Sequence, residues 1–217
     1  PIPKFPRFGT IINPIKLLPN GNFAMVISLA SHALLESPMG EPPPDTTLVM
    51  REVNLAGDTV RNLTMQQLND RLLARGYKGP TLEMMHHDVA VLPNGHMVVM
   101  ANATRVYTDL PGYPGKTRVI GDILVDLDLQ WQPVWTWSQF DHLDVKRHPK
   151  DFPDWTHSNA VIYTKDDGNL IMSSRTQSWV MKIDYRNGQG TGKILWTLGK
   201  DGDLKLIKGQ APQDWNY

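Results

Sequence analysis

The sequence predicts an all-β fold, and three observations support this prediction. Turn-forming residues are frequent, with 17 Gly and 17 Pro among 217 residues. The 7 Trp are spread along the chain, and frequent turns with scattered Trp are typical of proteins built from many short strands. A strand–turn–strand pattern also recurs three times at near-equal spacing, which predicts an architecture of repeated units.

Each repeat is marked by a tight turn between two apolar runs. The turns contain Gly21, Gly95 and Gly168, and each glycine is preceded by Asn or Asp. Asn-Gly and Asp-Gly favour hairpin turns, because a positive φ costs little at these residues. Each copy therefore predicts two antiparallel strands joined by a short turn.

A second pair of apolar runs follows each turn. These runs are residues 48–60, 121–137 and 179–199. Every repeat therefore contains four predicted strands, which is the composition of a β-propeller blade. The predicted repeats are residues 11–63, 82–137 and 153–199. We expect residues 1–217 to form part of a single β-propeller domain.

The spacing of the repeats leaves room for insertions between the strands. Residues 31–46 are Pro-rich and predict an irregular loop. Residues 138–156 mix charges, His and Pro, and predict a long surface loop. Long loops on a rigid β scaffold often carry function.

One insertion, residues 64–76, is predicted to be helical. Thr64 and Gln67 have the spacing of a capping box, which satisfies free backbone groups at a helix start. Three leucines are expected to share one face of the helix, with Gly76 as its stop. The leucines are Leu68, Leu72 and Leu73.

Three repeats do not close a ring, since a propeller generally needs at least four blades. An open array would expose strand edges and apolar blade faces. We therefore expect the chain to cover three to four blades. The remaining blades of the same propeller would lie on a longer chain or on another chain.

Composition excludes several classes of protein. Lys+Arg and Asp+Glu number 22 each, and a formal net charge of zero argues against nucleic acid or a membrane surface as a partner. The absence of Cys excludes disulfides, thiol catalysis and cysteine-ligated metals. It also favours an oxidising compartment.

Histidines precede the second and third marker turns in similar contexts. His86-His87-Asp88 aligns with residues 157–159, which begin with His157 and end with Asn159. Since the first strand of a blade lines the central channel, these side chains are expected to converge there. Strand alternation puts His86 with Asp88, and His157 with Asn159. Alternation thus favours His86 over His87 for the channel, but the choice stays open.

Arg175 lies at the end of the strand after the third turn, and a hairpin would return it to the level of His157. Arg175, His157 and Asn159 together supply N–H donors and positive charge, which suit a tetrahedral oxyanion such as sulfate or phosphate. An ion pair between Arg175 and Asp88 is the structural alternative.

Trp155 has two interpretations, stacking on an aromatic substrate or packing in the core.

The other histidines have no repeat support for a chemical role, and four further tryptophans are most simply explained by packing. The histidines are predicted to be loop or surface groups, and the tryptophans to pack between blades. These are His32, His96, His142, His148, Trp135, Trp137, Trp179 and Trp196. No metal site is predicted, because adjacent strand residues point to opposite sides and a third ligand is not evident.

These motifs resemble the bacterial aryl sulfotransferase family, whose members do not use a nucleotide sulfate donor. The resemblance covers most of the chain from about Ile11 onward. It is carried by residues 86–88 with 92–95, and by residues 157–159 with 167–170 and 173–177. The paired order of these motifs is more specific than any one of them.

The resemblance implies a six-bladed propeller, with its active site in the central channel and with no cofactor. It implies ping-pong transfer of a sulfuryl group from a phenolic sulfate ester to a phenol, through a sulfated histidine. That nucleophile is expected a few residues beyond Tyr217, because residues 214–217 echo residues 154–157. A periplasmic or secreted bacterial protein is also implied.

The expected roles follow from this chemistry. Arg175 and Asn159 would hold the sulfuryl oxygens, and His157 or His86 would transfer protons. The substrate-binding set is expected to include His87, Asp88 and Trp155. The expected partners are the phenolic sulfate donor, the phenol acceptor and the remaining blades, without nucleic acid or membrane. Self-association into a homo-oligomer is left open.

Two other functions are alternatives. The chain could belong to a non-catalytic propeller scaffold that binds protein partners, since the ending 193–196 is also seen in quinoprotein-like propellers. A quinone-dependent dehydrogenase is disfavoured, because the calcium-binding carboxylates expected of it are not apparent.

Overall fold

The computed structural model describes residues 10–29 and 48–209, which form three four-stranded antiparallel sheets. The first sheet contains β1 (Thr10–Leu17), β2 (Phe23–Leu29), β3 (Val49–Val53) and β4 (Thr59–Thr64). The second contains β5 (Leu82–Val91), β6 (Met97–Leu110), β7 (Tyr113–Leu127) and β8 (Pro133–Ser138). The third contains β9 (Ser158–Thr164), β10 (Asn169–Ser174), β11 (Trp179–Ile183) and β12 (Ile194–Gly199).

Within residues 10–29 and 48–209 the helices are few and short. They are α1 (Met65–Ala74), α2 (Gln139–His142) and a 3-10 turn at Arg186–Gly188. Within the described ranges, no helix is long and apolar enough to cross a bilayer. The all-β prediction is therefore confirmed, whereas the closed six-bladed ring and the single domain stay predictions.

Strand order within each sheet follows chain order, as the repeats predicted. The marker turns adopt the backbone conformation for which glycine was expected. Gly21, Gly95 and Gly168 have φ values of 84°, 82° and 68°, and each lies between the first and second strands of its sheet. These turns fold each first strand back against the second.

The first strands of the three sheets lie side by side, since β5 contacts both β1 and β9. We call β1, β5 and β9 the inner strands. They line a groove of about 650 Å³, whose walls include Lys16, Asp88 and Val161. Any group carried at the ends of these strands is therefore brought close to its counterparts on the neighbouring sheets.

The core lies between the sheets, and the second sheet is buried on both faces. Val99 and Ile123 belong to the cluster that packs on the first sheet, whereas Val98 and Leu124 belong to the cluster that packs on the third. Because successive residues point to opposite faces, both faces of this sheet have to be apolar. This explains the nearly continuous apolar runs of β6 and β7.

Helix α1 begins where the capping box predicts. The Thr64 hydroxyl accepts from the Gln67 backbone N–H at 3.1 Å, and the Gln67 side chain accepts from the Thr64 N–H at 3.0 Å. Leu68 and Leu72 are buried, but Leu73 is 66% exposed. The expectation that Leu73 shares their face is wrong, because the buried stripe of this short helix is narrower than predicted.

The loop after α2 is not a simple surface loop. It returns along β7, where the Ile120 N–H donates to the Pro153 carbonyl at 2.7 Å and the Trp155 N–H donates to the Ile120 carbonyl at 3.1 Å. This pairing delivers residues 154–157 to the start of β9. The Pro-rich residues 31–46 lie outside the described residues.

Candidate functional site

An irregularity in β5 brings two adjacent histidines to the same place. The pairing of β5 with β6 shifts between Met85 and Val89, and His87 within this bulge has a φ of 54°. Strand alternation is therefore interrupted, and the prediction that His86 and His87 occupy opposite faces is wrong. Their Nδ1 atoms are 2.8 Å apart.

His157 reaches this pair from the third sheet. Its ring centroid lies 5.3 Å from that of His87, at an interplanar angle of 65°. Its Nδ1 is 2.5 Å from an oxygen of Asp154, and its backbone has a φ of 45°. We call His86, His87 and His157 the histidine cluster.

A buried carboxylate supports the cluster from β7. Asp122 is 2% exposed and accepts from His86 Nε2 at 3.1 Å, from the Thr156 hydroxyl at 2.8 Å and from the Ser158 N–H at 2.7 Å. Burial acts to raise the pKa of Asp122, but the hydrogen bonds from His86 and Ser158 outweigh burial and lower the pKa. Asp122 is therefore an ionised, fully engaged hydrogen-bond acceptor.

Sequence reasoning missed both supporting carboxylates. Asp122 interrupts the apolar run at residues 119–127, and a charged residue inside a predicted buried strand is a signal that could have found it. Asp154 stands out in the sequence only as part of the run that ends in His157. Neither residue could be paired with its histidine without knowing which strands become neighbours.

His87 is held in its neutral form. Its pKa is lowered to about 4, first by burial and then by the proximity of His86 and His157, while Asp122 and Asp154 act in the opposite direction. A neutral imidazole has one ring nitrogen that donates a hydrogen bond and one that accepts. His87 is thus available as a proton acceptor at neutral pH.

His86 does not reach a substrate directly. Both of its ring nitrogens are engaged, one by Asp122 and one by His87, and the residue is only 4% exposed. The prediction that His86 transfers protons to substrate is therefore corrected, because no ring nitrogen is left to do so.

Arg175 lies beside His157 through the backbone. Its N–H donates to the His157 carbonyl at 3.1 Å, as the hairpin predicted, and the residue is exposed. Its guanidinium makes no ion pair or hydrogen bond within the described part of the chain, and the alternative pairing with Asp88 does not occur. The guanidinium is therefore available to an anion.

Asn159 occupies a bulge. Ser158 pairs with Ser174 and Ala160 pairs with Ser173, so Asn159 is the extra residue of β9 and is half-buried. Regular strand alternation was expected to place the side chains of Asn159 and His157 on the same face, but the bulge interrupts this alternation at Asn159.

Asp88 connects the three inner strands. One carboxylate oxygen accepts from the Val89 N–H at 2.9 Å and lies 2.7 Å from Lys16 Nζ. The other accepts from the Val161 N–H at 3.0 Å. Because both oxygens are engaged by the protein, the structure gives Asp88 a connecting role in place of the substrate contact predicted.

Trp155 lies in the core. It is 0% exposed, its ring centroid is 5.5 Å from that of Phe140, and its indole N–H donates to the Arg147 carbonyl at 2.9 Å. No face of the ring is free to stack on a substrate, so the structure supports the packing alternative and corrects the substrate-binding prediction.

The remaining described histidines have contacts elsewhere. His96 Nδ1 is 3.1 Å from Asp126, and the His142 ring stacks on Trp137 with centroids 4.7 Å apart. Across residues 10–29 and 48–209, no group of three or more His, Asp or Glu could hold a metal ion.

The sheets and the site together define a class of protein: a propeller-like array of four-stranded sheets with a histidine cluster on its inner strands, in the bulge of β5 and just before β9. The arylsulfotransferase (ASST) family model matches residues 7–209. The chain therefore belongs to the arylsulfotransferase family, which confirms the resemblance inferred from the motifs.

No curated protein matches the chain. The chain is similar to the crystal structure of the major Malassezia sympodialis allergen Mala s 1, with 10% identity and a TM-score of 0.39. That match covers 88% of this chain, which spans 64% of the allergen chain.

Proposed function

We propose that this chain supplies the sulfuryl-binding and proton-transfer residues of an aryl-sulfate sulfotransferase. One observation carries the proposal. Two carboxylate-oriented histidine units, Asp122–His86–His87 and Asp154–His157, meet with 5.3 Å between the rings of His87 and His157. They do so in a chain of the arylsulfotransferase family, to which sulfuryl transfer between phenols belongs.

The sulfuryl group would be held by N–H donors. Sulfuryl transfer resembles phosphoryl transfer, in which negative charge is spread over three equatorial oxygens. The planar guanidinium of Arg175 can donate two parallel hydrogen bonds to such oxygens, and the Asn159 amide would add a donor. Loss of one preorganised donor costs about 3 kcal/mol of barrier.

The chemistry also needs a proton to move twice. In the first half-reaction the S–O bond to the donor phenol breaks, a bond from sulfur to the enzyme nucleophile forms, and the leaving oxygen takes a proton. In the second half-reaction the acceptor phenol loses its proton, its oxygen forms a bond to sulfur, and the bond from sulfur to the enzyme nucleophile breaks. The Nε2 atoms of His157 and His87 have no hydrogen bond among the described residues, so these two imidazoles are the candidates for both proton transfers.

The covalent step is a finer part of the same proposal. A ping-pong reaction through a sulfohistidine divides one difficult displacement into two easier ones. The resemblance and the repeat support a nucleophilic histidine beyond Tyr217, and phenolic sulfate and phenol as donor and acceptor. Export to the periplasm is part of the same expectation.

The proposal is tested on the full-length protein with 4-nitrophenyl sulfate and phenol. We expect release of 4-nitrophenol together with formation of phenyl sulfate. Hydrolysis without any phenyl sulfate would contradict the proposed transfer.

The site assignment is tested by Arg175→Ala. We expect kcat/KM to fall by about 100-fold or more, with an unchanged circular dichroism spectrum. Arg51→Ala is a matched control on β3, because Arg51 contacts Asn62 on the first sheet and should leave kcat/KM unchanged. Full activity of Arg175→Ala would remove Arg175 from the site.

A further inference from the structure

We propose that Asp122 is a positioning residue that acts through His86 to fix the tautomer of His87. His87 then offers the lone pair of its Nε2 to the hydroxyl group of the acceptor phenol. The identity of the acceptor rests on the proposed function, whereas the tautomers rest on the geometry of the histidine cluster alone.

The first step is the direction of the hydrogen bond between Asp122 and His86. An ionised carboxylate only accepts hydrogen bonds, and Asp122 already accepts from the Ser158 N–H at 2.7 Å and the Thr156 hydroxyl at 2.8 Å. His86 Nε2, which lies 3.1 Å from the other carboxylate oxygen, must therefore carry its hydrogen.

The hydrogen on His86 Nε2 in turn determines which ring nitrogen of His87 carries a hydrogen. A neutral His86 with its hydrogen on Nε2 has a lone pair on Nδ1. That atom is 2.8 Å from His87 Nδ1, a distance that requires one hydrogen between two nitrogens. With His86 in this form, His87 supplies the hydrogen from Nδ1, and its own Nε2 keeps a lone pair.

The backbone of His87 makes this contact possible. A φ of 54° is rare for a residue other than glycine, and such strained positions are often found at functional sites. In an undisturbed strand, His86 and His87 would point to opposite sides of the sheet. The bulge instead places His87 between His86 and His157.

The charged and titratable groups around His87 act on its ring in opposite directions: His86 and His157 disfavour its protonated form, whereas Asp122 and Asp154 favour it. Burial keeps the ring neutral. When the phenol O–H bond breaks, its proton forms a bond to His87 Nε2. The Nδ1 hydrogen of His87 can then pass to His86 Nδ1, and the resulting positive charge lies beside the Asp122 carboxylate. The phenolic oxygen uses its freed electron pair to form a bond to sulfur, and the bond between sulfur and the enzyme nucleophile of the proposed function breaks, with its electron pair returning to the nucleophile.

The substitution Asp122→Asn reverses the direction of the hydrogen bonds that run from residue 122 through His86 to His87. The Ser158 N–H can only donate, so the oxygen of the substituted amide must take the position that faces Ser158. The amide NH₂ then faces His86 Nε2 and donates to it. His86 is forced to carry its hydrogen on Nδ1 and donates to His87 Nδ1, which leaves His87 with a hydrogen on Nε2 and no lone pair for the phenol.

The experiment combines nitrogen NMR of ¹⁵N-histidine-labelled full-length protein with kinetics of phenyl sulfate formation. In the wild type at neutral pH we expect His87 to be protonated at Nδ1 and unprotonated at Nε2. In Asp122→Asn we expect the two nitrogens of His87 to exchange character. We also expect kcat to fall by about 100-fold with KM changed by less than about threefold.

Asp126→Asn is the matched control. Asp126 is also buried on β7 and accepts from His96 Nδ1 at 3.1 Å and from the Tyr185 hydroxyl at 2.6 Å, but it does not contact the cluster. It should leave the His87 tautomer and kcat unchanged, even if it lowers stability.

The outcomes separate this inference from the proposed function. A wild-type His87 protonated at Nε2 would overturn the inference, and so would an Asp122→Asn variant with unchanged tautomers and kcat. If the expected tautomers occur in a protein that transfers no sulfuryl group, the proposed function fails and the positioning role of Asp122 stands. If Asp122→Asn does not fold, the wild-type spectrum alone decides the tautomer.

Discussion

At the scale of single residues, the site depends on carboxylates that hold imidazoles in fixed orientations. Asp122 and Asp154 each accept from one histidine, in the way that the carboxylate of a hydrolase triad orients its histidine. The same carboxylates compensate only in part for the burial of His87, whose pKa stays at about 4. The site therefore keeps a neutral imidazole at a cost in stability at low pH.

This cost gives a prediction for the pH dependence of folding. An unfolded histidine has a pKa of about 6.5, whereas His87 in the folded protein has a pKa of about 4. Between these values the unfolded state binds more protons, so the free energy of unfolding decreases as the pH falls from about 6.5 to about 4. The loss from His87 is up to about 3 kcal/mol, and nothing is lost above about pH 6.5.

Urea denaturation at about pH 7 and about pH 4.5, on either side of most of this titration, measures the effect. His87→Gln has no titrating group at this position and should lose less stability than the wild type on acidification. An equal loss in the two proteins would mean that His87 is not held neutral by its surroundings.

At the scale of secondary-structure elements, capping and bulges decide where side chains lie. Helix α1 is fixed at its start by the reciprocal hydrogen bonds of Thr64 and Gln67. We expect Thr64→Ala to lower the free energy of unfolding by about 1 kcal/mol, because the Gln67 N–H loses its acceptor. Thr64→Ser keeps a hydroxyl and should retain most of this stability in thermal or urea denaturation. Equal destabilisation by both substitutions would contradict the capping role.

The bulges of β5 and β9 matter more for function than the helix does. Each adds residues to one strand without adding them to its partner, which re-aims the side chains that follow. His87 and Asn159 lie at these points, in the middle of β5 and at the start of β9. Regular alternation would have separated His87 from His86, and the relay to Asp122 would not exist.

At the scale of the whole molecule, a few polar contacts connect the sheets. Asp88 joins β1 through Lys16 and β9 through the Val161 N–H. Between the second and third sheets, Asp126 accepts from the Tyr185 hydroxyl at 2.6 Å. These contacts fix the relative position of the inner strands and hence of the histidine cluster.

Asp88→Ala should destabilise the protein by about 1–3 kcal/mol, because it leaves the Val161 N–H without its acceptor. Lys16→Met is the comparison, since it removes only a partly exposed ion pair that is worth less than about 1 kcal/mol. Chemical denaturation of both variants measures the difference. Unchanged stability of Asp88→Ala with a raised KM would instead support the original expectation that Asp88 binds substrate.

The sequence alone determined the repeated strand–turn–strand units, the start of the helix and the family. These features depend on local residue types, such as glycine at positive φ in the turn at Gly95 or a hydroxyl at the cap position Thr64. His157 and Arg175 could also be placed together, because a hairpin brings back to one level residues that are near in sequence.

Only the tertiary structure decided how the site is assembled. The bulge that joins His86 to His87 lies in the pairing of β5 with β6. The partnership of His86 with Asp122 joins β5 to β7, and the burial of Trp155 depends on its packing against Phe140. Extra residues in one strand of a pair change where the side chains at the bulge point, and no local pattern in this chain marks where those residues fall. The chemistry of the cluster was therefore visible in its residue types, but its geometry was set by the packing of the three sheets.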